Sequence, residues 1–417
     1  MTKNKKLKTW LWKWHFIAGI ISLPFVLILS ITGIIYLFKA DYEAPAQRHI
    51  KEVSVTGLPV SFQKQWDIAN KEAYKKPESM ILPQSDFQAT EFISGMFTNK
   101  RSLFINPYTG NVSGEIIACQ TDMFKIKKLH GELLMGTFGT KIIELIASWM
   151  FVLILTGIYI WWPSRGWKLQ GLLIPRLKNG KQIFFRDLHA ISGFWISGLL
   201  ILILAGGFPW TDIFGANFKY LQKVTDTGYP ISWNGKNIYS TPKGTPLLLD
   251  QMVQKAKALD LPGQVTITLP KGSKGIYSVA NFNPSQLDLQ QKFHFDQYSG
   301  NQLAHITWDK VGFLMRGRMW VMAFHQGEFG FWNWLLVLVT AVILALMSSA
   351  ALVSYLLRKP KNQWGIPKTP SNFKVGYGIL FMLVILSIVF PLFGISLLLI
   401  TGIEYYRSKT KTQNNIS

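Results

Sequence analysis

Four of the seven histidines recur as two matching sets along the chain. His15 begins the segment His-Phe-Ile-Ala-Gly, and His189 begins His-Ala-Ile-Ser-Gly. His130 lies in Leu-His-Gly-Glu, and His325 lies in Phe-His-Gln-Gly-Glu. A single histidine near a membrane edge is usually an interfacial polar residue. Four at repeat-related positions are instead candidate ligands, because neutral imidazole binds haem iron and other redox metals.

The other residue types narrow this chemistry. Cys119 is the only cysteine, which excludes an internal disulfide, a thiolate-held iron–sulfur cluster and covalent haem attachment through Cys-x-x-Cys-His. The sequence contains no glycine-rich phosphate loop, serine elbow, zinc-spacing motif or dinucleotide-binding fingerprint. A bound redox metal must therefore be held by ligands other than cysteine, and an electron donor must be a separate molecule.

Long apolar stretches must position these histidines. The 417-residue chain is 49% hydrophobic, which is high for a soluble protein. Five stretches lack Asp, Glu, Lys and Arg, and they cover residues 16–38, 145–162, 188–211, 329–357 and 375–403. At about 1.5 Å per residue each can cross a hydrocarbon core roughly 30 Å thick. The sequence predicts a polytopic α-helical membrane protein with four or five transmembrane helices in the lipid bilayer.

The net charge of +22 is concentrated beside these stretches. Three short segments at the N-terminus, between the second and third stretches, and between the fourth and fifth hold sixteen basic residues and one acid, Asp187. The basic residues are Lys3, Lys5, Lys6, Lys8, Lys13, Arg165, Lys168, Arg176, Lys178, Lys181, Arg186, Arg358, Lys359, Lys361, Lys368 and Lys374. This pattern is typical of cytoplasmic loops. It predicts a cytoplasmic N-terminus and two long extracytoplasmic segments, and it argues against a nucleic-acid partner.

The fifth stretch contains Pro391. Each half is too short to cross a membrane, so the sequence favours one kinked span. Basic residues follow its end, however, and the side of the membrane on which the C-terminus lies stays open.

The histidine segments belong to a longer internal repeat. A turn sequence, Asn-Pro-Tyr-Thr-Gly-Asn from Asn106 and Asp-Gln-Tyr-Ser-Gly-Asn from Asp296, lies between the two histidine segments of each copy. The three landmarks recur in the same order at offsets of 174, 190 and 195 residues, which indicates a duplicated two-helix unit. The long segments predict two extracytoplasmic α+β domains, each with a helix before a sheet, around residues 62–74 and 247–259.

The predicted organisation has nine parts. They are the N-terminus with the first span (1–38), the first outer domain (39–128), the second span with its histidine segment (129–163), a basic loop (164–187), the third span (188–211), the second outer domain (212–322), the fourth span with its histidine segment (323–357), a second basic loop (358–374), and the fifth span with the C-terminal tail (375–417).

Topology pairs the four histidines by depth. His15 and His189 lie at the cytoplasmic ends of their helices, whereas His130 and His325 lie near the outer face. Two histidines at one depth on facing helices can supply both axial ligands of a b-type haem. Two such pairs predict two haem b groups, one near each face, as in a transmembrane electron path. His130 is fifteen residues from Leu145, so an extended or broken helix must bring it to the membrane.

Other recurring residues have simpler interpretations. Thr-Gly occurs late in three stretches, at Thr32, Thr156 and Thr401, and small residues at such places usually pack helices together. The remaining histidines, His49, His294 and His305, are interpreted as solvated positions in the outer domains.

These motifs resemble the PepSY-associated transmembrane family, whose members include iron-regulated membrane proteins and bacterial siderophore reductases. The resemblance covers nearly the whole chain. It is carried by Trp14-His15, by Leu-His-Gly-Glu-Leu-Leu-Met-Gly from Leu129, by Thr-Gly-Ile-Tyr-Ile-Trp-Trp-Pro from Thr156, by Arg-Asp-Leu-His from Arg186, and by Phe324-His325. The two repeated turns look like the hairpin turns of PepSY domains.

The resemblance implies a multi-pass protein of a bacterial cytoplasmic membrane. It implies haem ligation by His15, His130, His189 and His325, and reduction of a ferric siderophore or another ferric chelate outside the cell, with release of Fe(II). A cytoplasmic reductase or a membrane quinol would donate the electrons. The alternative is a non-enzymatic scaffold whose PepSY-like domains bind a partner protein, in protease regulation or transporter assistance.

Overall fold

The computed structural model describes residues 3–162, 169–366, 369 and 373–414. Arg165, Lys168 and Lys368 lie outside these residues. The first half of the chain contains α1 (Lys3–Leu37), α2 (Lys39–Lys51), α3 (Phe62–Glu72), β1 (Ser79–Ile81), β2 (Thr90–Ser94), β3 (Arg101–Ile105), β4 (Val112–Ile117), α4 (Asp122–Glu132), α5 (Gly136–Trp161) and α6 (Leu169–Leu172).

The second half repeats most of this order. It contains α7 (Lys181–Gly207), α8 (Ile213–Val224), α9 (Leu249–Ala258), β5 (Gln264–Thr268), β6 (Ile276–Phe282), β7 (Gln291–Asp296), β8 (Gln302–Thr307), α10 (Phe313–Gln326), α11 (Phe331–Arg358), α12 (Tyr377–Val389) and α13 (Pro391–Asn414). The predicted helices before each sheet are confirmed as α3 and α9.

Four helices in the described part of the chain, α1, α5, α7 and α11, are long and apolar enough to cross a membrane. They pack as a bundle in which α11 lies along both α7 and α1, and α5 lies along α1. The buried core between them includes Val26, Ile146, Leu200 and Leu344. We call the end of the bundle where α1 begins the basic end, and the end nearest the β-sheet the sheet end.

The prediction of one kinked fifth span is wrong. The chain breaks at Phe390 (φ −120°, ψ 85°) into α12 and α13, because a residue before proline is disfavoured in the helical conformation and Pro391 suits a first helical position. The two helices approach closely, since a Cβ on Gly394 would be 2.8 Å from Cβ of Ser387. Glu404 then pairs with Lys13 at 3.5 Å, which places that part of α13 at the basic end.

The strands of both copies form one antiparallel sheet in the order β4-β3-β2-β1-β5-β6-β7-β8. The copies meet where β1 pairs with β5, with Met80 opposite Ile267. One face of the sheet packs on α3 and α9 through buried residues such as Phe92, Leu249 and Met252. The two predicted outer domains therefore share a sheet and a hydrophobic core.

Reciprocal hydrogen bonds also join the two copies. The Asp250 carboxylate in α9 accepts from the backbone N–H groups of Phe62 (2.7 Å) and Gln63 (3.0 Å) at the start of α3. The Gln63 side chain in turn accepts from the backbone N–H of Leu249 at 3.0 Å. Each contact satisfies a donor at a helix N-terminus, so α3 and α9 form a matched pair across the two copies.

Candidate functional site

The structure brings the four repeat histidines together as two pairs. The His15 and His189 rings form the basic-end pair, with centroids 6.3 Å apart and planes at 69°. The His130 and His325 rings form the sheet-end pair, with centroids 6.1 Å apart and planes at 76°. Each pair takes one ring from each copy, as the pairing by depth predicts.

Helix breaks position the sheet-end pair. His130 lies on α4, and the chain leaves this helix through Leu133 and Leu134, which adopt left-handed φ angles of +50° and +58° before α5 begins. His325 lies on α10, which ends at Gly327 (φ +73°) before α11 begins. The broken helix that the sequence requires at His130 is confirmed, and the second copy uses the same solution.

Backbone carbonyls fix the rings of the second copy. His189 Nδ1 lies 3.1 Å from the carbonyl oxygen of Met347, and His325 Nδ1 lies 2.7 Å from that of Ile203. A carbonyl can only accept, so Nδ1 of both rings must carry the proton. Nε2 of both rings therefore retains its lone pair.

Threonine hydroxyls fix the rings of the first copy. His15 Nδ1 lies 3.0 Å from Thr156 Oγ1, and His130 Nδ1 lies 3.0 Å from Thr32 Oγ1. Each threonine hydroxyl already donates its proton to a carbonyl one turn earlier in its own helix, at 2.8 Å for Thr156 and 2.6 Å for Thr32. While the hydroxyls donate to these carbonyls they accept from Nδ1–H, which gives His15 and His130 the tautomer that the carbonyls require of His189 and His325.

The glycines of the two Thr-Gly motifs face the same rings. A Cβ on Gly157 would be 3.1 Å from His15 Cε1, and a Cβ on Gly33 would be 3.5 Å from His130 Cε1. The interpretation of these two motifs as helix packing missed their role beside the histidines. Their recurrence in the sequence was the available signal.

A cavity of about 610 Å³ surrounds the basic-end pair. Its lining includes both rings together with Gly157, Gly193 and Arg358. Asp187, two residues before His189, lies at this cavity and binds Arg176 at 2.7 Å and Arg186 at 3.0 Å. Small-molecule sites commonly enclose roughly 300–1,000 Å³, so the cavity has the size of a cofactor site.

The pairs fit the axial ligand set of a haem. With about 2 Å for each bond between metal and imidazole nitrogen, and roughly 1 Å from nitrogen to ring centre, two imidazoles on opposite sides of one iron have centroids about 6 Å apart. Nδ1–H bonds to a second shell are typical of ligating histidines. In the part of the chain that the structure describes, His, Cys, Asp and Glu form no group of three or more that could hold a bare metal ion.

The other histidines have structural roles or stand apart. The prediction that His294 is solvated is wrong, because this side chain is fully buried between Ser278 Oγ (2.8 Å) and the carbonyl oxygen of Ser232 (2.8 Å). Its neighbours in β7, Phe293 and Phe295, face the core that joins the two copies, so alternation places His294 on the opposite face of the sheet, where the backbone at Ser232 covers it. His305 stacks on Phe293 at 4.0 Å.

A family model for the PepSY-associated TM region matches residues 12–358. The chain belongs to this family. No curated protein sequence matches it. The match begins just before His15 and ends at Arg358, so it includes all four paired histidines. This PepSY-associated chain is thus a multi-pass helical membrane protein whose family region extends through both copies of the repeat.

Proposed function

We propose that the protein holds two haem b groups and conducts electrons across a bacterial cytoplasmic membrane to a ferric chelate, such as a ferric siderophore, at its sheet end. The observation that carries this proposal is that Nδ1 of each of the four paired histidines lies within hydrogen-bond distance of a carbonyl or threonine oxygen. Each Nδ1–H is committed to a carbonyl or threonine oxygen, and each Nε2 keeps a lone pair for a metal.

His15 with His189 and His130 with His325 would supply the axial ligands. Haem held there supplies a one-electron redox couple. Thr32 is seventeen residues beyond His15 on α1, so the two pairs lie about 25 Å apart at 1.5 Å per residue. The apolar core of the bundle lies between them and keeps water away from that part of the path.

The reaction balances with one external donor. Each ferric chelate takes up one electron at the sheet end, where its iron becomes Fe(II) and is released. The electrons come from a cytoplasmic reductase or a membrane quinol at the basic end, and one quinol oxidised to quinone, with release of two protons, supplies two ferric ions. The sixteen basic residues beside the spans support a cytoplasmic basic end.

A non-enzymatic scaffold is the second candidate. The observation that favours it is the sheet itself, whose outermost strands β4 and β8 each pair on one side only within the described residues. An open strand edge can take up an extended peptide from another protein. In this reading the histidine pairs would be architectural.

Absorption spectra of the purified full chain, reduced with dithionite, separate the two proposals. We expect b-type haem bands with two haems per chain. His15→Ala with His189→Ala should remove one haem, and His130→Ala with His325→Ala should remove the other. His49→Ala, an exposed change in α2, is the matched control. A wild-type chain without haem bands, or a haem content that survives both double changes, would overturn the reductase proposal.

A further inference from the structure

Arg318 in α10 is a buried cation that has Tyr229 nearby but no ion pair or hydrogen bond among the described residues. Its side chain belongs to a residue that is only 8% exposed, and its Nε is buried without a hydrogen bond. Over residues 3–162, 169–366, 369 and 373–414, the guanidinium makes no ion pair or hydrogen bond. It lies over the Trp210 ring at 4.4 Å.

Such a group requires compensation. A guanidinium has five N–H donors, all in the plane of the group. The Trp210 ring contacts the face of the guanidinium and therefore accepts no hydrogen bond from these donors. Burial lowers the pKa of Arg318 from its ordinary value, because the charged form loses hydration. Buried charges in proteins are normally paired and hydrogen-bonded. The missing partner is therefore an anion with oxygen acceptors, and a carboxylate matches the guanidinium fork best.

The position of Arg318 relates it to the sheet-end pair. It lies seven residues before His325 on α10, hence on the same helix face and about 10 Å further from the bundle centre at 1.5 Å per residue. The contacts with α7 agree. Gly206 lies against His325, since a Cβ on Gly206 would be only 2.6 Å from His325 Cβ. Trp210, four residues later, lies against Arg318.

Building on the proposed function, we propose that Arg318 binds a propionate carboxylate of the haem held by His130 and His325. Propionates are the only anionic groups of haem b, and they extend from the rim of the macrocycle, whereas the axial ligands act at its centre. Arg318 is displaced from His325 along the same helix face, and this displacement suits a contact with the rim of the macrocycle rather than with its iron. The basic end has a parallel arrangement, since Arg358 lines the cavity of that pair and lies over Trp12 at 5.0 Å.

Haem and its dimethyl ester, which lacks the carboxylate charges, test the proposal directly. The apoprotein of the full chain, carrying His15→Ala and His189→Ala so that only the sheet-end pair remains, is titrated with each compound. We expect haem to bind about tenfold to a hundredfold more tightly than the ester, from the typical strength of charged hydrogen bonds. Arg318→Gln should bind both compounds equally, and Arg318→Lys should lie between.

Arg316→Gln, a change two residues away on the same helix, is the matched control and should retain the full preference for haem. Circular dichroism of each apoprotein checks that the fold is kept. A preference for haem that survives in Arg318→Gln would overturn the proposal, and so would an equal loss of both compounds, which would indicate a structural role or a lipid phosphate as the partner. Absence of haem from the wild-type chain would refute the proposed function itself.

Discussion

The first copy of the repeat places threonine hydroxyls beside its histidines, and the second copy does not. At the offset of 174 residues, Thr32 and Gly33 of the first copy correspond to Gly206 and Gly207 of the second. Gly33 thus has a glycine counterpart, Gly207, and a Cβ on Gly207 would be 3.8 Å from His325 Cε1. Thr32 has no threonine counterpart, because position 206 is glycine. His130 has the Thr32 hydroxyl in addition to the carbonyl of Leu29, whereas His325, with no side chain at 206, has the carbonyl of Ile203.

The other helix of each copy repeats the difference. His15 donates to the hydroxyl of Thr156, whereas His189 donates to the carbonyl of Met347. Three residues after Met347 the second copy has Ala350, where the first has Thr156 three residues after Leu153. What the two copies share is an acceptor for Nδ1–H. The comparison teaches that the fold requires this tautomer, and that a threonine is one of two ways to obtain it.

The largest effect expected from this comparison is at Thr156. Thr156→Val replaces the hydroxyl acceptor of His15 with a methyl group, which should also crowd the carbonyl of Leu153, so Nδ1–H of His15 loses one acceptor and is held away from the other. We expect roughly tenfold to a hundredfold weaker haem binding at the basic end, the usual cost of losing a second-shell partner. Thr156→Ala imitates Ala350 of the second copy and leaves His15 its existing contact with the carbonyl of Leu153. It should cost less, although it removes more atoms.

Haem titration of the apoprotein measures both changes. Thr401→Val is the matched control, because Thr401 belongs to a Thr-Gly motif in α13, where its hydroxyl bonds only to its own helix. A greater loss for Thr156→Ala than for Thr156→Val would show that the hydroxyl cannot be replaced by a carbonyl.

The sequence predicted the four spans, the helix before each sheet and the grouping of the histidines by depth, because hydropathy, charge and repeat order are local signals. It did not predict the function of Thr32 and Thr156. Their histidine partners are 98 and 141 residues away in the sequence. The same Thr-Gly motif occurs at Thr401, whose hydroxyl bonds to carbonyls of its own helix, so the motif alone does not predict a histidine partner. The length of the last apolar stretch favours one span, but Pro391 disfavours the helical conformation at Phe390, and the break lies there.

The glycines of the first copy give a smaller contrast. At Gly157 an added Cβ would be 3.1 Å from Cε1 of His15, whereas at Gly33 it would be 3.5 Å from that of His130. The first distance requires the ring to move, and the second is ordinary van der Waals contact. Gly157→Ala should therefore weaken basic-end haem binding several-fold, about 1 kcal/mol, while Gly33→Ala stays near the wild type.

The haem content and the reduced spectrum of each variant report which pair has changed. Gly402→Ala is the control for glycine replacement in an apolar helix, because a Cβ on Gly402 would have no described atom within 4 Å. Equal losses for Gly157→Ala and Gly33→Ala would mean that the two rings have equal room, contrary to the distances.

The smallest expected effect compares the copies within the sheet. At the offset of 190 residues, the buried Phe104 of β3 corresponds to the buried His294 of β7. Burial lowers the pKa of His294, against the raising effect of its bond to Ser232. The unfolded chain, with a histidine pKa near 6.5, then takes up a proton that the folded sheet resists. Stability should fall as the pH drops below about 6.5.

Thermal unfolding of the full-length apoprotein between pH 5.5 and 7.5 measures this slope, which His294→Phe should flatten because it places the residue of the first copy in the second. His49→Phe, at an exposed position, should keep the slope of the wild type. An unchanged slope in His294→Phe would assign the acid sensitivity to other groups. A smaller slope in His294→Phe would show that the histidine at this one position makes the second half of the shared sheet sensitive to pH.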